Sequence, residues 1–231
     1  MSSLVIPGAV PGTPLPGELS RASAPAAGVL VVFAHGAGAG RQSPFMRRVA
    51  ELLAARGLDV LTFDFPYMAA GRKLPDRPAA LEAAFHDAVA TGVAALGGQT
   101  RAVVVAGKSM GGRMATHLAA QPDAWRAPVP LTAAVAFGYP LRPPGPRGGN
   151  RVSHLMRLSV PTLIVQGTRD TFGGPDDVRA ATAAAPRVAV YPVATGDHSL
   201  TVTAASGQRQ DAVEAAMADA VAAFVREAAA V

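Results

Sequence analysis

The chain has 231 residues, half of them apolar, with a formal net charge of +5 and no cysteine. That length can bury a large core in one α/β domain, and the missing thiols exclude disulfides, thiolate nucleophiles and cysteine-ligated zinc. The positive charge does not mark a nucleic-acid binder: lysine occurs only at 73 and 108, aromatics make up 5% of residues, and the arginines are scattered instead of clustered.

Residues 1–27 lack a basic leader and an unbroken apolar run, with prolines at 7, 11, 14, 16 and 25. They read as mature protein rather than a signal peptide, and Leu4–Ile6 and Leu15–Leu19 as short antiparallel edge strands. No stretch reaches the roughly 18 uncharged apolar residues of a membrane helix. A cytoplasmic protein with no membrane partner is expected.

Gly28–Ala34 is apolar enough for a buried strand, and the glycine run His35–Gly40 follows it. Ser43 and Pro44 supply an N-cap and a first-turn proline for a helix through Arg56. Phe45, Val49, Leu52 and Leu53 lie on one face of that helix, and Gly57 closes it. Asp59–Phe63 is the next strand, followed by an irregular stretch. Asp76–Leu96 predicts an Ala-rich helix with Leu81, Phe85, Val89 and Val93 on one side, ended by Gly97 and Gly98. A strand at Ala102–Ala106 leads to Ser109 and a helix to about Ala120.

Ala133–Phe137 and Thr162–Gln166 are further short strands, separated by a segment rich in Pro, Gly and Arg from Gly138 to Val160. Pro175–Ala185 predicts a helix and Arg187–Tyr191 a strand. The last helix runs from about Gln208 to Ala230, with Val213, Met217, Val221, Phe224 and Val225 as its apolar stripe. Alternating apolar runs and helical patterns predict a mostly parallel sheet with helices on both faces. No repeat or long linker divides the chain, so one domain over residues 1–231 is expected.

Three short segments carry the chemistry. Gly107-Lys108-Ser109-Met110-Gly111 reads G-x-S-x-G directly after a strand and before a helix, the context a nucleophile elbow requires. Asp170 ends the Gly167-Thr168-Arg169-Asp170 turn after a strand, where carboxylates reach the ligand crevice of a parallel sheet. Asp177 is the substitute for it. His198 lies in Gly196-Asp197-His198 after the last strand, on a loop of small residues. A serine hydroxyl needs a base to take its proton and a carboxylate to orient that base. Ser, Asp, His is the α/β-hydrolase chain order, not that of chymotrypsin-like or subtilisin-like proteases.

The other four histidines have simpler roles. His86 and His117 fall within helices, His154 precedes Leu155 in the irregular segment, and His35 shapes the glycine run. Asp197 cannot orient its neighbour His198, because adjacent side chains diverge. The glycine run does not fit a dinucleotide fingerprint or a P-loop. It fits an oxyanion hole, formed by the backbone N–H groups of Ala37 and Met110. Phe65, Tyr67, Met68, Tyr139, Leu141 and Phe172 are expected to wall an apolar pocket. Residues 142–158 are expected to form a loop flap instead of a helical cap. Arg113 could meet a buried carboxylate such as Asp64, and Lys108 could line the site; were both to face the pocket, the ligand would be anionic.

These motifs resemble the α/β-hydrolase superfamily over residues 28–201, within its dienelactone-hydrolase-like division. The chain is similar to a group of small bacterial hydrolases that share HGAGAG (His35–Gly40), a DFPYM-like stretch (Asp64–Met68) and GKSMGGR (Gly107–Arg113). The shared set continues with GYPL (Gly138–Leu141), a QGTRD-like strand end (Gln166–Asp170) and GDHSL (Gly196–Leu200). The group is also similar to an animal chromatin-complex subunit. The resemblance implies the triad Ser109, Asp170 and His198 at the carboxyl edge of the sheet. Dienelactone hydrolase itself uses Cys as nucleophile, so Ser109 departs from it and the lactone substrate is not carried over.

The expected activity is hydrolysis of a carboxylic ester or thioester on a small acyl substrate, with no metal or organic cofactor. The alternatives are a non-enzymatic interaction protein that kept the fold, or an acyltransferase or peptidase using the same residues.

Overall fold

The apolar runs become strands β1 (Ser2–Ile6), β2 (Leu15–Ser20), β3 (Val29–Ala34), β4 (Asp59–Phe63), β5 (Ala102–Lys108), β6 (Leu131–Phe137), β7 (Thr162–Gly167) and β8 (Val188–Val193). The helices are α1 (Pro44–Ala54), α2 (Pro66–Ala69), α3 (Pro78–Ala95), α4 (Met110–Ala119), α5 (Pro175–Ala181) and α6 (Gln210–Ala229). The computed structural model describes residues 1–8, 14–23, 25–142 and 151–230. Its strands form one sheet in the order β1-β2-β4-β3-β5-β6-β7-β8. β1 and β2 pair antiparallel, β2 joins β4 antiparallel, and every other pairing is parallel. This is the α/β-hydrolase fold, with helices on both faces and, among the described residues, no lid domain.

Burial explains why the central strands read as continuous apolar runs. Val29, Val31 and Phe33 of β3 pack with Met46, Val49 and Leu53 of α1 and Met217, Val221 and Val225 of α6. Leu30, Val32 and Ala34 pack on the opposite face with Leu81, Phe85 and Val89 of α3 and Met114 and Leu118 of α4. A strand covered on both sides has no reason to alternate apolar and polar residues.

Several boundaries differ from expectation. β5 continues to Lys108 because its partners run as far: Lys108 pairs with Phe137. β8 runs across Pro192, tolerable in an outer strand whose free side needs no ladder bond. α5 stops at Ala181, where the Thr182 hydroxyl donates to the Val178 carbonyl at 2.7 Å. The stretch after β4 contains the short helix α2. Ser43 stands at the N-cap of α1, yet its side chain makes no capping bond, and Pro44 alone marks that start. β1 is the edge strand, whereas β2 lies inside the sheet between β1 and β4. Residues 143–150 of the expected flap lie outside the described residues, and 151–158 contain a 3₁₀ turn at Leu155–Arg157. Among the described residues no helix is long and apolar enough to cross a membrane.

Phe63, Phe65 and Phe85 form an edge-to-face cluster under α3, with ring centroids 5.1 to 6.4 Å apart and no exposure to solvent. Removing the Phe85 ring leaves a cavity that its rigid neighbours cannot fill. Phe85→Ala is expected to lower the unfolding free energy by about 3–5 kcal/mol, read from urea denaturation midpoints. A loss below ~1 kcal/mol would mean that α3 is not a structural wall of this core.

Candidate active site

All the parallel strands point their carboxyl ends at one edge, so the loops after β3, β5, β7 and β8 meet there. Ser109 follows β5 immediately. Its backbone sits at φ 49° and ψ −111°, a conformation costly for a residue with a Cβ. The turn is tight enough that a Cβ on Gly107 would lie 2.1 Å from the carbonyl carbon of Gly111, and one on Gly111 would lie 2.4 Å from the Ala34 carbonyl oxygen. The Ser109 N–H donates to the Phe137 carbonyl at 2.9 Å, which ties the elbow to β6.

Three distant side chains converge on this edge. The Ser109 hydroxyl lies 2.9 Å from Nε2 of His198, and Nδ1 of His198 lies 2.8 Å from Oδ2 of Asp170. With Nδ1–H donating to the carboxylate, Nε2 is left to accept the serine proton. The Asp170 carboxylate is fully buried. It also accepts from the Phe172 N–H at 2.8 Å and from Gln166 Nε2 at 2.9 Å, so burial leaves it well satisfied. The Phe172 ring packs on the His198 ring at 4.2 Å.

Asp197 plays a different part. Its Oδ1 accepts the N–H groups of Ser199 and Thr201 at 2.8 and 2.9 Å, which folds the loop that carries His198. Asp177 accepts the Gly174 N–H at 2.9 Å and pairs with Arg142, so it caps α5 and does not touch the relay.

Ala37 and Met110 line the same cavity as Ser109. Met110 opens α4, so its N–H has no intrahelical acceptor and faces the helix's positive end. His35 holds the loop that presents Ala37. Its Nδ1–H donates to the Gly36 carbonyl at 2.8 Å and its Nε2 accepts the Phe65 N–H at 3.0 Å. Burial pushes the His35 pKa below its usual value, in keeping with this neutral tautomer.

The expected apolar wall is different in the structure. Phe65, Tyr67 and Tyr139 are fully buried and belong to the core. Met68 packs half-buried against that core, and Leu141 lines a neighbouring hollow with Arg142 and Arg151. Of the six, Phe172 lines the Ser109 cavity. That cavity has a volume of about 320 Å³, and Pro75, Pro78, Leu81, Met114 and Pro140 form much of its wall. Arg113 also lines it and does not meet Asp64, whose carboxylate instead accepts the Arg41 N–H at 2.7 Å and faces the Arg41 guanidinium at 3.4 Å.

Two residues gain roles that sequence reasoning did not assign. Gln166 brackets the acid: its Oε1 accepts the Tyr139 N–H at 2.8 Å while its Nε2 donates to Asp170 and to the Gly173 carbonyl at 2.6 Å. A polar residue closing the apolar run Thr162–Val165 was the available signal. Lys108 lines a cavity on the other side of the elbow, with Gly36, Phe45 and Ser199. Its ammonium donates to the His198 carbonyl and lies 5.8 Å from the centre of the Phe45 ring.

Residues 27–226 match the model of a family described as an alpha/beta hydrolase domain. No curated protein matches the chain in sequence. The chain is similar in structure to an α/β serine hydrolase from Xanthomonas campestris described as lacking a lid, at 16% identity over 96% of this chain and 94% of that one, with a TM-score of 0.71. It is also similar to an α/β serine hydrolase homologue from Coxiella burnetii, at 18% identity over 85% and 88% of the two chains with a TM-score of 0.68. Dienelactone hydrolase from Anabaena variabilis aligns at 22% identity over 98% and 94%, with a TM-score of 0.63.

Burial lowers the Lys108 pKa from 10.5 to about 8, against the opposing pull of Asp170 and Asp197. Below pH 8 the lysine is charged in both folded and unfolded chains, and folding must desolvate it. Between about 8 and 10.5 only the unfolded chain keeps the proton, so stability from this group rises with pH. The stability of the native chain relative to Lys108→Met should therefore increase by up to ~3 kcal/mol across that window. Urea denaturation of both proteins at the two ends of the range checks it; a flat or falling difference would overturn the assignment.

Proposed function

The chain belongs to the alpha/beta hydrolase domain family, and on that footing we propose that it is a serine hydrolase cleaving a carboxylic ester or thioester through an acyl-enzyme. The unbroken hydrogen-bonded relay from Ser109 through His198 to Asp170 carries this reading.

In the proposed cycle the Ser109 oxygen attacks the acyl carbon while its proton passes to Nε2 of His198. The imidazolium that forms is held by the Asp170 carboxylate at Nδ1, which stabilises its charge without taking its proton. The substrate carbonyl oxygen becomes an oxyanion and receives the N–H groups of Ala37 and Met110. Such donors are already oriented when the charge appears, and losing one typically costs roughly 3–4 kcal/mol of barrier. Collapse expels the alcohol or thiol, which takes the proton from Nε2. Water then attacks the acyl-serine, gives its proton to the same nitrogen, and Ser109 recovers its own as the acid departs.

Ser109→Ala is expected to lower kcat/KM for a short-chain 4-nitrophenyl ester by at least ~10⁴-fold, because triad members act as a unit. Asp170→Asn, which inverts the tautomer demanded of His198, should cost a similar ~10⁴-fold. A fluorophosphonate probe should label Ser109 in the native protein and leave Ser109→Ala unlabelled. An unaltered rate in Ser109→Ala would refute Ser109 as the nucleophile, and folded native protein that takes no label would favour a non-enzymatic role for the fold.

A further inference from the structure

Two guanidinium groups share the Ser109 cavity and have no part in the hydrolytic cycle. Arg113 stands one helical turn beyond Ser109 on α4, where residues four apart lie on one face. Arg151 enters from the segment after β6, and both line the cavity together with Ser109 and Met110. Among the described residues no carboxylate lies within ion-pair distance of either arginine. Nε of Arg113 is buried and has no hydrogen-bond partner. The cavity's own carboxylate, Asp76, pairs with Arg72 through Oδ1 at 2.7 Å, and its buried Oδ2 has no hydrogen-bond partner. An unpaired buried cation is costly, and the half-buried Arg151 adds like charge to the same cavity. The Arg151 pKa falls, first through burial and then through Arg113.

The backbone beneath both arginines is braced. The Thr116 hydroxyl donates to the Arg113 carbonyl at 2.8 Å, and the Tyr139 hydroxyl donates to the Arg151 carbonyl at 2.6 Å. Between them sits His154, whose Nε2 lies 2.9 Å from the Thr116 oxygen and 3.4 Å from the Tyr139 oxygen. Both hydroxyl protons are committed to carbonyls, so Nε2–H of His154 must be the donor to the two oxygens. The imidazole is neutral: burial, followed by the nearby His117, Arg113 and Arg157, pushes its pKa down to about 3. A buried network with every proton assigned holds its members rigidly, and here it fixes the spacing of the two chain segments that carry the guanidiniums.

We propose that this cavity receives the acyl part of the substrate, that the acyl chain ends in a carboxylate, and that Arg113 and Arg151 are its counter-ions. The inference rests on the serine-hydrolase reading and adds the substrate class. The acyl side is assigned because Ser109 lines the cavity and His198 does not, whereas a leaving alcohol must collect its proton from His198. Guanidinium forks match carboxylates in geometry and charge, and the cavity otherwise offers an apolar wall to a short methylene chain.

The test compares 4-nitrophenyl hemiglutarate with 4-nitrophenyl valerate, which share a leaving group and differ at the acyl terminus by the carboxylate. The native protein should favour the hemiester in kcat/KM by about tenfold or more, as expected for charge-assisted hydrogen bonds, and added salt should shrink that preference. Arg113→Met and Arg151→Met should each bring the ratio towards one, and Arg113→Lys should keep part of it. Fluorophosphonate labelling of Ser109 in each variant reports that the elbow is folded and reactive. A labelled native protein with no preference for the hemiester, or a preference that survives in both Met variants, overturns the acyl-carboxylate assignment and leaves the hydrolase reading standing. Failure of the native protein to take the probe or to hydrolyse either ester overturns both.

Discussion

The close approach of β5 to the first turn of α4 is the constraint on which the site depends. Backbone meets backbone there with no room for a Cβ at Gly107 or Gly111, and Gly112 would set one 2.7 Å from the Gly107 carbonyl oxygen. That contact drives Ser109 into positive φ and lifts its side chain clear of the sheet. A local cost of order 1–3 kcal/mol is typical for such a residue, and it persists because β5 is buried on both faces and cannot relax. The same turn leaves the Met110 N–H without an intrahelical acceptor at the positive end of α4, beside Ser109. The proposed nucleophile and the proposed oxyanion donor are therefore two products of one packing contact.

The imidazole is held from three directions by groups on different strands. Gln166 joins the end of β7 to the loop after β6 and keeps the Asp170 carboxylate in place. Asp197 folds the His198 loop on itself. Lys108 reaches from the end of β5 to the carbonyl of His198, so the residue beside Ser109 grips the backbone of the imidazole that faces it. A buried ammonium weakens the fold at neutral pH, yet it shortens the list of positions His198 can adopt relative to Ser109. Stability is exchanged for a fixed distance at the atom pair that must pass a proton.

Much of this was legible in the sequence, and what was not has a physical explanation. Strand–turn–helix punctuation around Ser109, and the small residues before His198, reflect local backbone demands that only a few residue types meet. Local demands are what a sequence displays most directly. The pocket wall failed because an aromatic residue after a strand can point to either side of the chain, and only packing decides. Phe65 turns inward because Phe63 and Phe85 offer it an edge-to-face cluster. Tyr139 turns inward because its hydroxyl finds the Arg151 carbonyl. The partner suggested for Arg113 failed for a similar reason: Asp64 is captured at close range by Arg41, on the same glycine loop that it supports. The buried pairing of His154 with Thr116 and Tyr139 joins residues from three separate segments and had no local signature.

The distribution of charge follows from the same division between surface and edge. Arg48 with Glu214, Arg56 with Asp219 and Arg209 with Asp211 are pairs with at least one exposed member, the kind that contributes little to stability and is screened by salt. They set three of the arginines against carboxylates at the surface. The cations around the elbow differ in kind. Lys108 is held against a carbonyl and an aromatic ring, and Arg113 and Arg151 line a cavity whose carboxylate, Asp76, pairs with Arg72 instead. Desolvated charge of one sign has an unfavourable self-energy that only an opposite charge relieves. In the proposed reading a substrate carboxylate entering this cavity supplies that opposite charge on binding, so an arrangement unfavourable to the resting fold favours the complex.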